Sequence, residues 1–237
     1  MLLYEKPIRI ELLDSELIVN GQHHSQSVRH ASKMRQVLMD KQTDYGDPAL
    51  YYMYRGIHKF ANLRYDITYI PANLIGSEYA KTYGHYHQKA KDGMYYPEIY
   101  QVLSGKVVFL LQLKNKDESV NVIIVNAREG EIILLPPGYG HVSINPTTDK
   151  NLVLANIVSE SFENNYEDYK NNQGAAYYYT QNGLVQNSNY IIRNTEKKTP
   201  QELNKQNDFY SADLLNELYK NPKEFEFLEW PSLKFKQ

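Results

Sequence analysis

Histidine and glutamate residues at matched spacings are the strongest candidates for chemistry in this chain. His85 and His87 are separated by one residue in the segment TYGHYHQKAKDGMYYPEIYQVLSG, and Glu98 and Tyr100 have the same spacing further along it. In a β-strand this spacing places both side chains of a pair on one face of the sheet. A third histidine, His141, follows a Pro-Pro-Gly turn. Three imidazoles and one carboxylate suit a divalent transition metal, so the pattern predicts that the three histidines and Glu98 bind one ion.

The distribution of the remaining histidines supports this interpretation. A single HxH pair arises by chance in many chains, and a lone strand histidine is usually exposed or hydrogen-bonded in a core. The chain has seven histidines, and the three in its strand-rich middle are the three candidate ligands. The others lie outside that region: His23, His24, His30 and His58.

Two motifs in the same region resemble those of the cupin superfamily. The second cupin motif, G-x5-P-x-G-x2-H-x3-N, is matched at every position, and the first is matched as HxH followed by E-x6-G. The matching residues are Gly130, Pro136, Gly138, His141 and Asn145 in the second motif, and His85, His87, Glu98 and Gly105 in the first. The chain departs from the first motif because the usual glycine before the histidines is missing. It also has ten residues between His87 and Glu98, where most cupins have fewer.

The resemblance implies a mainly β fold, the cupin double-stranded β-helix or jelly-roll barrel, with helical and extended additions at both termini. The long insertion between the ligands contains Asp92-Gly93, a favoured turn pair, and is expected to form a hairpin tip.

Within the cupins, the segments TYGHYH, EIY, FENNY and GAAYY resemble the cupin-type glucose-6-phosphate isomerases over about residues 28–180. The resemblance implies a metal-dependent aldose–ketose isomerase that interconverts glucose 6-phosphate and fructose 6-phosphate, a step of glycolysis and gluconeogenesis. One divalent ion per chain is expected, Fe²⁺ or Mn²⁺ first and Zn²⁺ or Ni²⁺ next, and the active form is expected to be a homodimer.

The resemblance also implies roles for individual residues. It places the phosphate-binding positions of the family at Thr68, Thr82 and Gly84, although β-propensity alone would also explain the two threonines. A substrate-contacting tyrosine of the family corresponds to Tyr166, and a histidine that some members carry two residues earlier is here Asn164.

For the reaction itself, Glu98 is the expected base and Tyr100 the group that relays a proton between oxygens or orients the sugar. The sequence does not choose between an enediolate route and a hydride shift. Two other functions stay open, another metal-dependent cupin enzyme such as a dioxygenase, and a non-catalytic cupin that binds sugar phosphates.

Composition narrows the classes of partner. The 237-residue chain has a net charge of −2 and therefore no basic field for nucleic acid or anionic membranes. It has no cysteine, which excludes disulfides and thiolate metal sites. Its N-terminus carries Glu5, Lys6 and Arg9, which interrupt any signal-peptide core, and no run reaches the ~20 apolar residues of a membrane span. We therefore expect a cytoplasmic protein.

Local patterns predict the elements that flank the barrel. Two short strands are expected around Asp14-Ser15, closed by Asn20-Gly21, and apolar residues at helical spacing favour a helix over residues 27–42. The segment LYYMYRGI fits a strand or a helix equally well. From Leu63 onwards, short apolar runs separated by turn residues predict an antiparallel sandwich or barrel.

The C-terminal part is predicted to form a separate addition. Residues 1–194 are expected to be the cupin domain, ending in a hairpin that turns at Asn182-Gly183. Residues 195–237 are expected to comprise a polar linker over 195–207 and a short helix capped by Ser211. The final apolar residues are expected to dock on the barrel or on a partner subunit: Phe225, Phe227, Leu228 and Trp230.

Overall fold

The computed structural model describes residues 1–44, 46–206 and 213–236, and β-strands dominate it. Four short α-helices lie at its periphery: α1 (Ala31–Met34), α2 (Glu167–Asn171), α3 (Pro200–Gln206) and α4 (Leu214–Lys220). Three 3₁₀ turns accompany them: Arg35–Val37, Pro222–Leu228 and Pro231–Leu233. The strands are β1 (Leu2–Tyr4), β2 (Ile10–Leu13), β3 (Glu16–Val19), β4 (Gln22–His23), β5 (Ser27–His30), β6 (Ala49–Phe60), β7 (Leu63–Ile70), β8 (Leu74–Ile75), β9 (Glu78–Tyr79), β10 (Glu98–Ser104), β11 (Lys106–Lys114), β12 (Val120–Arg128), β13 (Ile132–Leu135), β14 (Tyr139–Ile144), β15 (Leu152–Ser159), β16 (Tyr177–Thr180), β17 (Gly183–Gln186) and β18 (Ile192–Lys198).

Two sheets form the barrel that carries the candidate ligands. One has six strands in the order β13-β10-β15-β7-β6-β5, and the other has four in the order β14-β11-β12-β18. The main apolar core joins them, with Val102 and Leu154 from the first sheet and Phe109 and Ile124 from the second. This is the mainly β cupin barrel expected from the motifs, and the prediction of fold class is confirmed.

The six-stranded sheet is buried on both faces, because successive side chains along its strands point alternately into two apolar cores. Residues such as Val102 face the barrel, whereas Ile99 and Ile157 face a second apolar cluster on the outer side of the sheet. The N-terminal sheet, in the order β1-β2-β3-β4, supplies Leu17 to that cluster, and the C-terminal segment supplies Phe225. Strands buried on both faces read as continuous apolar runs, which is why these segments were recognisable as strands.

The helix predicted for residues 27–42 is wrong over most of its length. Ser27–His30 form strand β5, whose Val28 lies opposite Tyr52 of β6, and only α1 and the following 3₁₀ turn are helical. The apolar spacing is nevertheless used, because Met34 and Val37 are buried in the main core. A short isolated helix is marginally stable, whereas residues 27–30 form backbone hydrogen bonds with the neighbouring strand β6.

The linker predicted for residues 195–207 is wrong within the described part, up to residue 206. Strand β18 pairs in parallel with β12, and α3 follows it directly. Asn204 of α3 donates from Nδ2 to the carbonyl of Ile132 and accepts from the backbone N–H of Leu134 at 3.0 Å. These contacts provide hydrogen-bond partners for backbone groups on the outer edge of β13. The polar segment is therefore ordered by the strand edges that it covers. The boundary predicted after residue 194 falls inside β18, and the division into two units stays a prediction.

The C-terminal apolar residues dock on the barrel as predicted, with one exception. Phe225, Phe227 and Leu228 are buried in the second core, but Trp230 is 41% exposed on the single chain, and its docking on a partner subunit stays a prediction. The cap predicted at Ser211 lies outside the described residues. Helix α4 begins at Leu214, and the Asp213 carboxylate accepts from the backbone N–H of Asn216 at 3.1 Å.

The predicted turns are found at, or within one residue of, their expected places. Asp14-Ser15 joins β2 to β3, and Asn20-Gly21 joins β3 to β4. The hairpin of β16 and β17 turns at residues 181–182, one residue before the predicted pair. In the insertion, Gly93 has a φ of +87° and its N–H donates to the carbonyl of Ala90. No helix among the described residues is long and apolar enough to span a membrane.

Candidate metal centre and substrate pocket

Three separate parts of the barrel bring the candidate ligands together. His85 and His87 lie in a segment held by isolated bridges rather than in a regular strand, and His85 exchanges two backbone hydrogen bonds with His141 of β14. Glu98 is the first residue of β10, which belongs to the facing sheet. The HxH spacing therefore places both imidazoles on the same side of the chain even though the segment does not form a ladder.

The ligand atoms converge as the sequence predicts. The four donors lie within 4.8 Å of one another. The Nε2 atoms of His85 and His87 are 3.2 Å apart, and Glu98 Oε2 lies 3.3 Å from His87 Nε2. His141 Nε2 is 3.4 Å from the same oxygen.

This donor set fits a divalent cation. Glu98 Oε2 is buried, and no hydrogen-bond donor in the described part of the chain is directed at it. A buried charged oxygen without a donor is costly unless a cation compensates it. Imidazole nitrogens and a carboxylate oxygen are ligands that Fe²⁺, Mn²⁺, Zn²⁺ and Ni²⁺ all accept.

The protonation states favour metal binding. Burial lowers the pKa of His85 well below its ordinary value and lowers the pKa of His141 from 6.5 to about 4. Burial alone would raise the pKa of Glu98, but the neighbouring imidazoles of His87 and His141 leave it below its ordinary value. Near neutral pH His85 and His141 are therefore neutral imidazoles and Glu98 is an ionised carboxylate, the forms that bind metals.

Residues around the ligands fix their orientation. His87 Nδ1 lies 2.9 Å from the carbonyl of Tyr96 and can donate to it, which leaves the Nε2 lone pair directed to the centre. The buried Asn156 of β15 donates from Nδ2 to Glu98 Oε1 at 2.7 Å. This hydrogen bond occupies one carboxylate oxygen and leaves the other to face the imidazoles.

The four candidate ligands line one open pocket. Tyr100 lines it, and its hydroxyl is 3.1 Å from His141 Nε2. Burial raises the pKa of Tyr100 well above its ordinary value, so the phenol keeps its proton. Thr68, Thr82 and Tyr166 also line the pocket, and their role in binding substrate stays a prediction.

Gly84 occupies a different position from the other predicted substrate residues, because it is not among the residues that line the pocket. Its φ is +87°, and a Cβ there would lie 2.5 Å from the ring of Tyr169 and 2.7 Å from Val142. Packing and backbone conformation thus explain the glycine. Its role in binding phosphate stays a prediction.

Sequence reasoning missed four polar residues that line the pocket: Arg55, Arg64, Asp66 and Asn156. Arg64, Asp66 and Thr68 alternate along β7, in the segment LRYDITYI. Polar residues at every second position of an otherwise apolar strand indicate a polar face. That pattern was the available signal for two of the four.

Comparisons with known proteins agree with these observations. The family model described as "Glucose-6-phosphate isomerase (GPI)" matches residues 36–196. A curated glucose-6-phosphate isomerase of Thermococcus onnurineus is 27% identical over 160 residues, covering 64% of this chain and 78% of that protein. A second, from Thermococcus gammatolerans, is 26% identical over 159 residues with the same coverage of both chains.

Solved structures that resemble this chain include an oxalate decarboxylase and an oxalate oxidase in complex with glycolate, each at 16% identity and a TM-score of 0.33. The alignment covers 48% of this chain and 26% of the decarboxylase chain, and 45% of this chain and 46% of the oxidase chain.

Proposed function

The chain belongs to the glucose-6-phosphate isomerase family and is an aldose–ketose isomerase; from this premise we propose that it interconverts glucose 6-phosphate and fructose 6-phosphate with one bound divalent metal ion. The observation that carries the proposal is the convergence of His85, His87, Glu98 and His141 in a hydroxyl-lined pocket. Fe²⁺ or Mn²⁺ is the expected metal, and the expected active form is a cytoplasmic homodimer.

The four ligands would hold the ion that supplies the electrophilic part of the reaction. A divalent ion held by them would polarise the sugar carbonyl and stabilise negative charge on the C1 and C2 oxygens. Three of the ligands, His87, Glu98 and His141, are themselves buried.

Glu98 and Tyr100 are the proposed proton-handling residues. The isomerisation moves one hydrogen between C2 and C1 and one proton between the two oxygens. Glu98 is ionised near neutral pH and could accept the C2 proton and return it to C1. Tyr100 keeps its proton, so its hydroxyl could donate to one sugar oxygen while accepting from the other. A direct hydride shift would leave Glu98 as a ligand alone.

Thr68 and Thr82 are the proposed donors to the substrate phosphate. Thr82 Oγ1 accepts from the backbone N–H of Ser143 at 3.0 Å, which fixes the oxygen and leaves its hydrogen to be donated. Tyr166 lines the same pocket, and Asn164 Nδ2 donates to its hydroxyl at 3.3 Å. Hydroxyl donors of this kind favour an isomerase of sugar phosphates over a cupin dioxygenase, which has no need of them.

The test is a coupled assay of fructose 6-phosphate conversion, in which a dehydrogenase reports glucose 6-phosphate. Treatment with a chelator should abolish turnover, and Fe²⁺ or Mn²⁺ should restore it. A protein that carries about one metal ion per chain and yet converts no fructose 6-phosphate would refute the proposed function.

A further inference from the structure

A bulge in strand β6 stands opposite a single residue of β7. The two strands pair in register as far as Tyr54 and Ile67, and pairing resumes at His58 and Tyr65. Residues 55–57 therefore lie opposite Asp66 alone. Bulges of this kind bend a strand and redirect its side chains, and they are common beside active sites.

Asp66 holds the bulge in place. Its Oδ1 accepts from the backbone N–H of Gly56 at 2.8 Å, and Gly56 has a φ of +67°, which side chains disfavour. The other oxygen, Oδ2, accepts from Arg64 Nε at 2.7 Å. Both carboxylate oxygens of this buried residue are thus engaged. Asp66 therefore stabilises the bulge through the backbone N–H of Gly56, and its carboxylate forms an ion pair with Arg64.

The residue that the bulge presents is Arg55, which lines the pocket together with Thr68 and His85. Its guanidinium donates to two uncharged acceptors, Ser27 Oγ at 3.2 Å and Met53 Sδ at 3.0 Å. Within residues 1–44, 46–206 and 213–236, no carboxylate lies within ion-pair distance of it, in contrast to Arg64. Arg55 is an exposed residue, so water solvates its charge, and no described side-chain anion pairs with it at this pocket.

We propose that Arg55 is a substrate-binding and specificity-determining residue that recognises the phosphate monoester of the sugar. Met53, whose sulfur Arg55 contacts, is the register partner of Thr68, and Arg55 and Thr68 line the same pocket. The planar guanidinium can donate two parallel hydrogen bonds to phosphate oxygens. The inference rests on the proposed function, because the anion is taken to be the 6-phosphate of the substrate.

The decisive comparison uses Arg55→Met, Arg55→Lys and Arg128→Met, all measured with saturating Mn²⁺. Arg128→Met is the matched control, since Arg128 is exposed on β12 and its loss changes the net charge equally. Calorimetry measures the Kd for inorganic phosphate, and the coupled assay measures KM for fructose 6-phosphate. Arg55→Met should weaken phosphate binding and raise KM by about 10- to 100-fold, as expected for a lost charge-assisted contact. Arg55→Lys should lose less, and Arg128→Met should match the wild type.

The possible results separate this inference from the proposed function. If Arg55→Met keeps wild-type phosphate affinity and KM, Arg55 does not bind the phosphate, although the isomerase activity stands. If Arg128→Met loses as much as Arg55→Met, only the overall charge matters and the inference is wrong. If the wild type converts no fructose 6-phosphate, the proposed function fails. Phosphate calorimetry then decides the role of Arg55 alone, and it contradicts the inference if the wild type binds no better than Arg55→Met.

Discussion

Replacing Asn156 by leucine should weaken metal binding without touching a ligand. Asn156 donates to Glu98 Oε1 at 2.7 Å, and both residues are buried. Leucine has a similar size but no donor, so Oε1 would be left in the interior without its partner. The carboxylate would then lose the contact that directs Oε2 towards the imidazoles.

The magnitude follows from the type of hydrogen bond. A bond to a charged group contributes about 1.5–3 kcal/mol, and a buried acceptor that loses its donor incurs a similar penalty. At about 1.4 kcal/mol per factor of ten, this corresponds to roughly a 10- to 100-fold higher Kd for Mn²⁺. The same range is typical of lost hydrogen bonds to metal ligands in other proteins.

The assay is a titration of chelator-treated protein with Mn²⁺ in competition with a metal-binding dye. Asn187→Leu is the matched control, because Asn187 is also buried and its Nδ2 donates to the carbonyls of Asn172 and Ala175 instead. It should lower the melting temperature and leave the Kd for Mn²⁺ unchanged. Wild-type metal affinity in Asn156→Leu would refute the reasoning, and so would an equal loss in Asn187→Leu.

Four further predictions concern the base, the phosphate end, the C-terminal segment and pH. Glu98→Gln should lower turnover per bound metal by about 10²- to 10⁴-fold if Glu98 is a base; near wild-type turnover at equal metal occupancy would favour the hydride shift. Thr82→Val should raise KM for fructose 6-phosphate while metal content by elemental analysis stays constant, and a loss of metal instead would contradict its place at the phosphate end. Phe225→Ala should destabilise the fold by about 3–5 kcal/mol in urea denaturation, whereas Trp230→Ala, at a 41% exposed position, should cost far less; equal losses would exclude the second core as the cause. Burial lowers the pKa of His141 to about 4 in the folded protein, so below pH 6.5 the unfolded chain takes up a proton that the folded chain does not. The free energy of unfolding of the metal-free protein should therefore be highest above pH 6.5 and should decrease as the pH falls towards 4. A urea midpoint that stays constant between pH 7 and 4.5 would contradict this prediction.

The sequence alone determined the barrel and the four candidate ligands. Strand periodicity is a local property, since side chains alternate with a period of two whatever the partner strand is. The cupin motifs are also local, because each fixes residue types over a short stretch around a turn. His85, His87, Glu98 and His141 could therefore be named before their convergence was visible, and that convergence is confirmed. Binding of a metal there stays a prediction.

The tertiary structure decided which polar residues surround that centre. Asp66 and Asn156 are far apart in the sequence but are register partners on β7 and β15, and Asn156 is also opposite Tyr100 on β10. Nothing local to Asn156 shows that its amide will meet Glu98. Register depends on the pairing of whole strands, so a contact between residues of two neighbouring strands follows only from the assembled sheet.

The sheet also decided the segments where local patterns gave the wrong structure. Residues 27–30 and 192–198 became strands because β6 and β12 present edges whose N–H and C=O groups need partners. Intrinsic preferences of the segments amount to fractions of a kcal/mol per residue, and hydrogen bonding along an existing edge outweighs them. The sequence thus determines elements where the period is strong. The assembled fold determines the structure of segments whose partners lie far along the chain, because the strand edge with which they pair exists only once the sheet has formed.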